Sequence, residues 1–356
     1  MRLVSPSRRL VAALLAVAMT GAAAASIGAA PAEPAASREH RRPAEQTFLT
    51  YPEWFLVYSP AEYAEFVRDR DPSAFPFLGH VRQFWRSYRA IWRATRKDYP
   101  FNAGYHVMIV VIGVSTTAEY ALRAVYETLV GRLAELARRH GFTAEDRYGA
   151  AVAQEYVDFI RVRPWYEFDF RAKLKGLWKE CPVRGADRVR KWERRYALTS
   201  EYAAKAVYGW LIGKMTKIGY EEPLLVTAVL LDRLPDASSG WRAEAFPELK
   251  VLEARADGVL VTVPRYQAFT DYAAALARSG VELREVAGNR GSILLTTLAP
   301  LGWAPPESAG EVLFRQPIST QAGRERVALV TTVPGLAGAL RALASGPVTV
   351  EHVYDY

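Results

Sequence analysis

"GYHVMIVVIGVSTTAEYALRAVYE", Gly104 to Glu127, decides how the rest of the chain is read. Its first fifteen residues carry no formal charge with His106 neutral, and Glu119 is the first acid. Fifteen helical residues rise roughly 22 Å, short of the ~30 Å hydrocarbon core of a bilayer. Extended forward, the helix takes in Glu119, Arg123 and Glu127 at i, i+4 and i+8, a spacing that lets them pair along one face. A membrane span therefore requires that face to be buried in protein or in a polar cavity. The other reading is a long core helix, apolar all round at first and amphipathic from Glu119 onward. Pro100 and Asn102 mark its start. Basic residues crowd both flanks, through Lys97 and from Arg132, so charge asymmetry does not orient a span.

The preceding stretch, "HVRQFWRSYRAIWRATRKDYP" (80–100), is the most unusual in the chain. On a helix Arg82, Arg86, Arg89, Arg93 and Arg96 fall within a wedge of about 80°. Trp85, Tyr88, Ile91, Trp92 and Tyr99 take the adjoining face, and no acid occurs between His80 and Lys97. Aligned guanidiniums repel one another unless something anionic faces them. Three partners fit: phospholipid head groups with the rings at the acyl boundary, the chain's own Glu62, Glu65 and Asp69, or nucleic acid with bases on the rings. The binding candidates are Arg82, Arg86, Arg89, Arg93, Arg96, Trp85 and Trp92. The expected partner is membrane lipid or an anionic protein, and no nucleic acid is expected, because the chain opens with an export-type signal. Sixteen Phe, Trp or Tyr residues between Phe48 and Tyr105 suit a surface lying along lipid.

That signal consists of Arg2, Arg8 and Arg9, then the apolar run Leu10 to Ala25, then small residues; residues 1–30 read as a signal peptide or an uncleaved anchor. Residues 31–46 read as a disordered linker of Pro, Ala and charge. Residues 47–234 form a helical, aromatic-rich domain expected at or in a membrane. Ser59 with Glu62 reads as a capping box, with Pro60 in the first turn of a new helix. Thr143, backed by Glu145 and Asp146, opens another helix that stops before Pro164, and a third covers 186–217 with a break near Thr199. "PDASSGW" (235–241) is taken as the boundary to a domain spanning 241–356. There "LVTVPRYQAFTDYAAALARSGVELREV" from Leu260 and "LVTTVPGLAGALRALASGPVTVEHV" from Leu329 repeat one strand–helix–strand pattern. Two further strands, from Ser292 and Glu311, lie between them. The expected fold class is α+β: a helical domain followed by a duplicated βαβ, ferredoxin-like sandwich, with oligomerisation through its sheet a further expectation. From Lys250 to Tyr356 ten basic residues meet ten acidic ones, so the +8 excess of the chain lies upstream.

Chemistry is sparse. The single cysteine, Cys181, excludes an internal disulfide and a Cys-based zinc site. His80, His106 and Glu119 are the catalytic candidates, His80 reaching His106 through a helical hairpin, but with no metal-ligand spacing. Glu167 and Asp169 alternate in "RVRPWYEFDF" and answer nearby arginines; His352 and Asp355 lie near the C-terminus, with His352 expected exposed at a strand end. No phosphate loop, nucleophile elbow or dinucleotide fingerprint occurs, and no cofactor or metal is called for. The function expected is an exported envelope protein, periplasmic or otherwise extracytoplasmic, held to the membrane or to an anionic partner by the basic aromatic helix. Its C-terminal domain serves binding or assembly, or senses a small molecule. The rival is a membrane-bound enzyme using His80, His106 and Glu119.

Overall fold

The computed structural model describes residues 33–219, 225–235 and 246–356. The export-type signal and most of the 235–241 break lie outside the described residues. The protein is mixed helix and sheet, with helices in its N-terminal half and two four-stranded antiparallel sheets in its C-terminal part.

The helices are α1 (Gln46–Phe66), α2 (Phe77–Thr95), α3 (Ala103–Tyr126), α4 (Arg132–Leu136), α5 (Ala144–Ile160), α6 (Phe170–Glu180) and α7 (Arg188–Gly219). A π-turn, Glu127–Gly131, joins α3 to α4, so the quoted stretch belongs to a continuous helix of 34 residues. Asn102 caps α3 by accepting from Tyr105 N at 3.1 Å. Thr143 and Asp146 form the capping box of α5, as its spacing predicts. Two expectations fail for a shared reason. Helix α1 runs through Ser59 and contains Pro52 and Pro60. Ser59 caps nothing, because its Oγ bonds His80 Nδ1 at 2.8 Å. Helix α7 continues past Thr199, whose Oγ1 accepts from Trp178 Nε1 at 3.1 Å. In both cases a tertiary hydrogen bond takes the side chain that local reading assigned to a helix end.

The strands are β1 (Val226–Leu231), β2 (Lys250–Arg255), β3 (Gly258–Pro264), β4 (Leu283–Val286), β5 (Ser292–Pro300), β6 (Glu311–Pro317), β7 (Arg324–Thr332) and β8 (Thr349–Val353). Helix α8 (Gln267–Arg278) joins β3 to β4, and α9 (Leu336–Ala344) joins β7 to β8. The sheets run β2-β3-β1-β4 and β6-β7-β5-β8, the same order in the same chain sequence, so the repeat visible from Leu260 and Leu329 is a repeat of structure. Each unit has two strands ahead of the matched stretch, β1 and β2 in the first and β5 and β6 in the second. In the first unit β1 pairs with β3 and β4 from the upstream side of the 235–241 break.

Both sheets and both helices close on one core, in which Val229, Val261, Leu295 and Leu329 meet Phe269 and Leu340. The outer face of the first sheet is covered by Ala35 and Ala36. Their N–H groups donate to the two carboxylate oxygens of buried Glu285 at 2.9 and 2.8 Å. Residues 33–46, expected as disordered linker, thus lie along the sheet, their methyl groups and amides answering an apolar face and a buried carboxylate. The outer face of the second sheet is covered by α1. Thr47 Oγ1 accepts from Leu294 N at 2.9 Å, and Tyr51 and Tyr58 hydrogen-bond Gln316 and Thr296. Most of the aromatic density between Phe48 and Phe84 is spent here, including Phe48, Tyr51, Trp54, Phe55, Tyr58 and Phe84. It serves a core and not a lipid-facing surface, which corrects the sequence-based expectation. Fully covered strands need apolar side chains on both faces, hence "SILLTTLA".

Helices α2 and α3 form an antiparallel hairpin against α1. Gly113 makes their close approach: a Cβ there would meet Phe84 Cε1 at 2.4 Å and Trp85 at 2.8 Å. Gly113→Ala is therefore expected to destabilise by about 1–3 kcal/mol, overpacking outweighing the roughly 1 kcal/mol gained in helix propensity. A raised denaturation midpoint would contradict this packing.

Candidate functional site

Arg82, Arg86, Arg89, Arg93 and Arg96 are all exposed on α2, and none has an ion-pair partner among the described residues. The acids expected to answer them are engaged elsewhere: Glu62 with Arg326 at 3.1 Å, Asp69 with Arg70 at 3.8 Å, and Glu65 with Gln321 at 2.6 Å. Internal neutralisation of the row is thus overturned for these three carboxylates. Trp85 and Trp92 lie on the edge of α2 that faces α3. Trp85 Nε1 donates to Thr117 Oγ1 at 3.0 Å, while Trp92 stays 44% exposed with Arg96 stacked over its ring at 5.9 Å.

Next to that edge runs an apolar face. Val107, Val111, Val114, Ala118, Leu122, Val125, Leu129, Leu133 and Leu136 are all exposed. Positions 107, 118 and 129, then 111, 122 and 133, then 114, 125 and 136 repeat every eleven residues. An eleven-residue period keeps a stripe on one side of a nearly straight helix. Leu122 is 72% exposed and Leu136 71%. The buried side, His106, Ile109, Gly113, Thr116 and Tyr120, faces the rest of the bundle. On its far flank α3 meets α7 through charged pairs: Glu119–Lys205 at 3.5 Å, Arg123–Glu201 at 3.5 Å and Glu127–Arg194 at 2.9 Å. Helix α7 adds its own exposed apolar positions, Val189, Trp192, Tyr196, Val207 and Trp210. An exposed apolar face of the length of that on α3 is unusual on a protein surface that meets only water.

Beneath this surface lies a chain of buried polar groups. Tyr120 OH and Ser59 Oγ are 2.6 Å apart, Ser59 Oγ and His80 Nδ1 2.8 Å, and His80 Nε2 and Glu62 Oε2 3.5 Å. Arg326 then bonds Glu62 and forks onto Glu351 at 2.5 and 2.7 Å. Burial, reinforced by the Arg326 charge, pushes His80 down to about 3. It is therefore a neutral imidazole, and its contact with Glu62 is not an ion pair. Burial holds Glu62 above the ordinary carboxylate range despite Arg326. With Nδ1 unprotonated, Tyr120 donates to Ser59 and Ser59 to Nδ1, while His80 Nε2 and Glu62 Oε2, 3.5 Å apart, are both buried without a hydrogen bond.

Ser59 and Tyr120 also line a cavity of about 180 Å³ between α1, α3, α5 and α7. Its wall is largely apolar, with Phe55, Ile112, Val152, Ala153 and Leu198. Glu119, Arg123, Glu201 and Lys205 close one side as a neutral quartet, Lys205 lying 2.7 Å from Glu201 and Arg123 3.6 Å from Glu119. Arg123 also sits 4.4 Å over the Tyr63 ring. Burial pushes Glu201 up, but Arg123 and Lys205 outweigh it and bring it down to about 2.

The catalytic candidates are not assembled. His80 packs opposite Tyr120 at one end of the α2–α3 hairpin. His106 is at the other end of α3, about 21 Å along the helix from Tyr120, bonded to Tyr88 OH at 2.9 Å and stacked on Phe101. Glu119 joins the charged quartet. Among the described residues no group of three or more His, Cys, Asp or Glu side chains is arranged to hold a metal ion. Asp169 caps α6 through Ala172 N, and Glu167 lies 4.0 Å from Arg163. Cys181 is buried, and burial raises its thiol to about 11. His352, expected exposed, is fully buried against Trp54 with ring centroids 3.5 Å apart, and Asp355 pairs with Arg265 at 2.9 Å. Ser59, Tyr120, Glu62 and Arg326 escape a sequence reading as one cluster because they come from three separate elements, α1, α3 and β7. The local signal, Ser59 with Glu62 and Pro60, points to a helix cap.

The two buried histidines make the fold acid-sensitive. Both have depressed folded values, so the unfolded chain binds more protons and stability falls as pH drops below ~6.5. For His80 the loss between pH 7 and pH 5 is about 2 kcal/mol. Glu62, raised in the fold, works in the opposite sense, so the comparison that isolates the imidazole is with His80→Gln. Its urea midpoint is expected to vary less between those pH values than that of the wild type, and an equal dependence would contradict a neutral His80. No protein-family model, curated protein or solved structure matches the chain.

Proposed function

We propose that this is an exported envelope protein that docks on an anionic membrane surface, with α3 lying along the interface and the Arg row of α2 on the head groups. One observation carries the reading: five exposed guanidiniums without ion-pair partners among the described residues adjoin two indoles and then an exposed apolar helix face. That order, charge then indole then aliphatic, matches the polarity gradient from head group to acyl chain. Helix α3 is apolar enough to cross a bilayer, but only about a fifth of its most apolar window is buried in the protein. A crossing orientation would carry α2 into the hydrocarbon with it, at about 2.5–3.5 kcal/mol for each central Arg. Lying in the plane buries the stripe and leaves the guanidiniums at the phosphates.

The C-terminal half serves binding or assembly in this reading. We further propose that each of its sheets is a ferredoxin-like unit. The order β4-β1-β3-β2, with every neighbour antiparallel, supports this. Strand β2 is exposed at every residue and is the edge through which copies would assemble.

Co-sedimentation of the full chain with vesicles tests the docking. Binding to vesicles containing phosphatidylglycerol, absent from pure phosphatidylcholine and weakened by salt, is the expected result. No association with either, or a dimer in solution that shields Leu122 and Val125 from labelling after substitution to cysteine, would overturn it.

A further inference from the structure

We infer that the cavity between α1, α3, α5 and α7 takes the hydrocarbon tail of a single-chain amphiphile, entering through a mouth on the apolar face. Its size comes first. About 180 Å³ compares with the ~150 Å³ apolar cavity that holds a benzene-sized guest, so the site suits the end of one chain and not a whole lipid. Its chemistry comes second. The charged groups in the wall and the Ser59–Tyr120 pair already have protein partners: Ser59 with His80 and Tyr120, Arg123 with Glu119 and Glu201, Lys205 with Glu201. A hydrocarbon guest leaves all of these contacts in place. Much of the remaining wall is hydrocarbon or aromatic, including Phe55, Ile112, Val152, Ala153, Phe170 and Leu198.

The position of the mouth adds the third argument. Val111 lines the cavity and is 55% exposed, and Tyr208 lines it while also exposed at the surface. Val111 belongs to the apolar stripe of α3, so the opening at Val111 lies on that face. A chain end leaving a bilayer under this surface would thus reach the cavity without crossing water. Glu119 and Lys205 stand at the same rim, 3.5 Å apart, where the polar head of the amphiphile would remain. Entry from a bilayer rests on the docking proposed above, whereas occupancy of the cavity does not.

The test uses the full chain and N-phenyl-1-naphthylamine, a probe that brightens in apolar sites, displaced by decanoate or decanol. The wild type is expected to bind the probe at one saturable site and to release it to both competitors. Ala153→Phe, which fills the cavity, is expected to weaken probe binding about tenfold or more while vesicle association is unchanged. Val111→Trp at the exposed mouth gives a second variant that leaves the interior intact, and it is expected to slow probe entry. Probe binding equal to wild type in both variants would overturn the site, because the probe would then lie on the open apolar face. A protein that binds the probe but ignores vesicles keeps the cavity and removes the docking, with the amphiphile then taken from solution. Vesicle association without saturable probe binding removes the cavity alone.

Discussion

Arg326→Met is expected to destabilise the protein by about 3–5 kcal/mol, the usual consequence of leaving buried charge without its partner. Arg326 is 2% exposed on β7 and joins Glu62 of α1 to Glu351 of β8, with its guanidinium 4.1 Å over the Tyr58 ring. Removing it strands two carboxylates at the seam between the helical half and the second sheet. The two would share the loss by taking up protons, so the variant should recover part of its stability as pH falls. Replacing Arg326, Glu62 and Glu351 together by neutral residues of similar size is expected to restore much of the rest, because no unpaired charge then remains. Denaturant midpoints at pH 7 and pH 5 read both effects. A loss under about 1 kcal/mol for the single variant would mean that water reaches the seam.

Reversing Arg86, Arg89 and Arg93 to Glu is expected to abolish vesicle binding while leaving the fold unchanged. Near an anionic surface each Lys or Arg contributes about 1 kcal/mol, so removing three costs roughly two powers of ten in affinity, and reversal adds repulsion. All three side chains are exposed and lack ion-pair partners among the described residues, so stability should move by no more than about 0.5 kcal/mol. Leu122→Asp together with Val125→Asp attacks the same contact through its apolar half and should weaken binding at any salt concentration. The Arg variant should matter less as salt rises and screens the surface. Vesicle affinity unchanged by the Arg reversal would leave the proposed docking without its basis.

Short-range signals were legible. Asn102 and Thr143 are recognisable caps, because capping is a contact between residues three apart. The strand–helix–strand repeat was legible because period-2 and period-3.6 patterns are local. The Arg row of α2 was visible by the same token. What escaped is long-range. Ser59 looked like a cap until His80, brought in by a neighbouring helix, took its hydroxyl. His352 looked exposed until Trp54 stacked on it.

The chain by itself determined the strand–helix–strand repeat from Leu260 and Leu329 and the basic aromatic helix, since each follows from side-chain spacing along one element. Only the tertiary structure decided which faces of those elements are covered. The aromatic residues of α1 go inward because the second sheet needs an apolar cover. The guanidiniums of α2 stay outside because the carboxylates expected to meet them are held by Arg326, Arg70 and Gln321. Composition shows how much charge and hydrocarbon a chain carries, whereas partnering is settled by which distant residues arrive first at hydrogen-bonding distance, a property of packing alone.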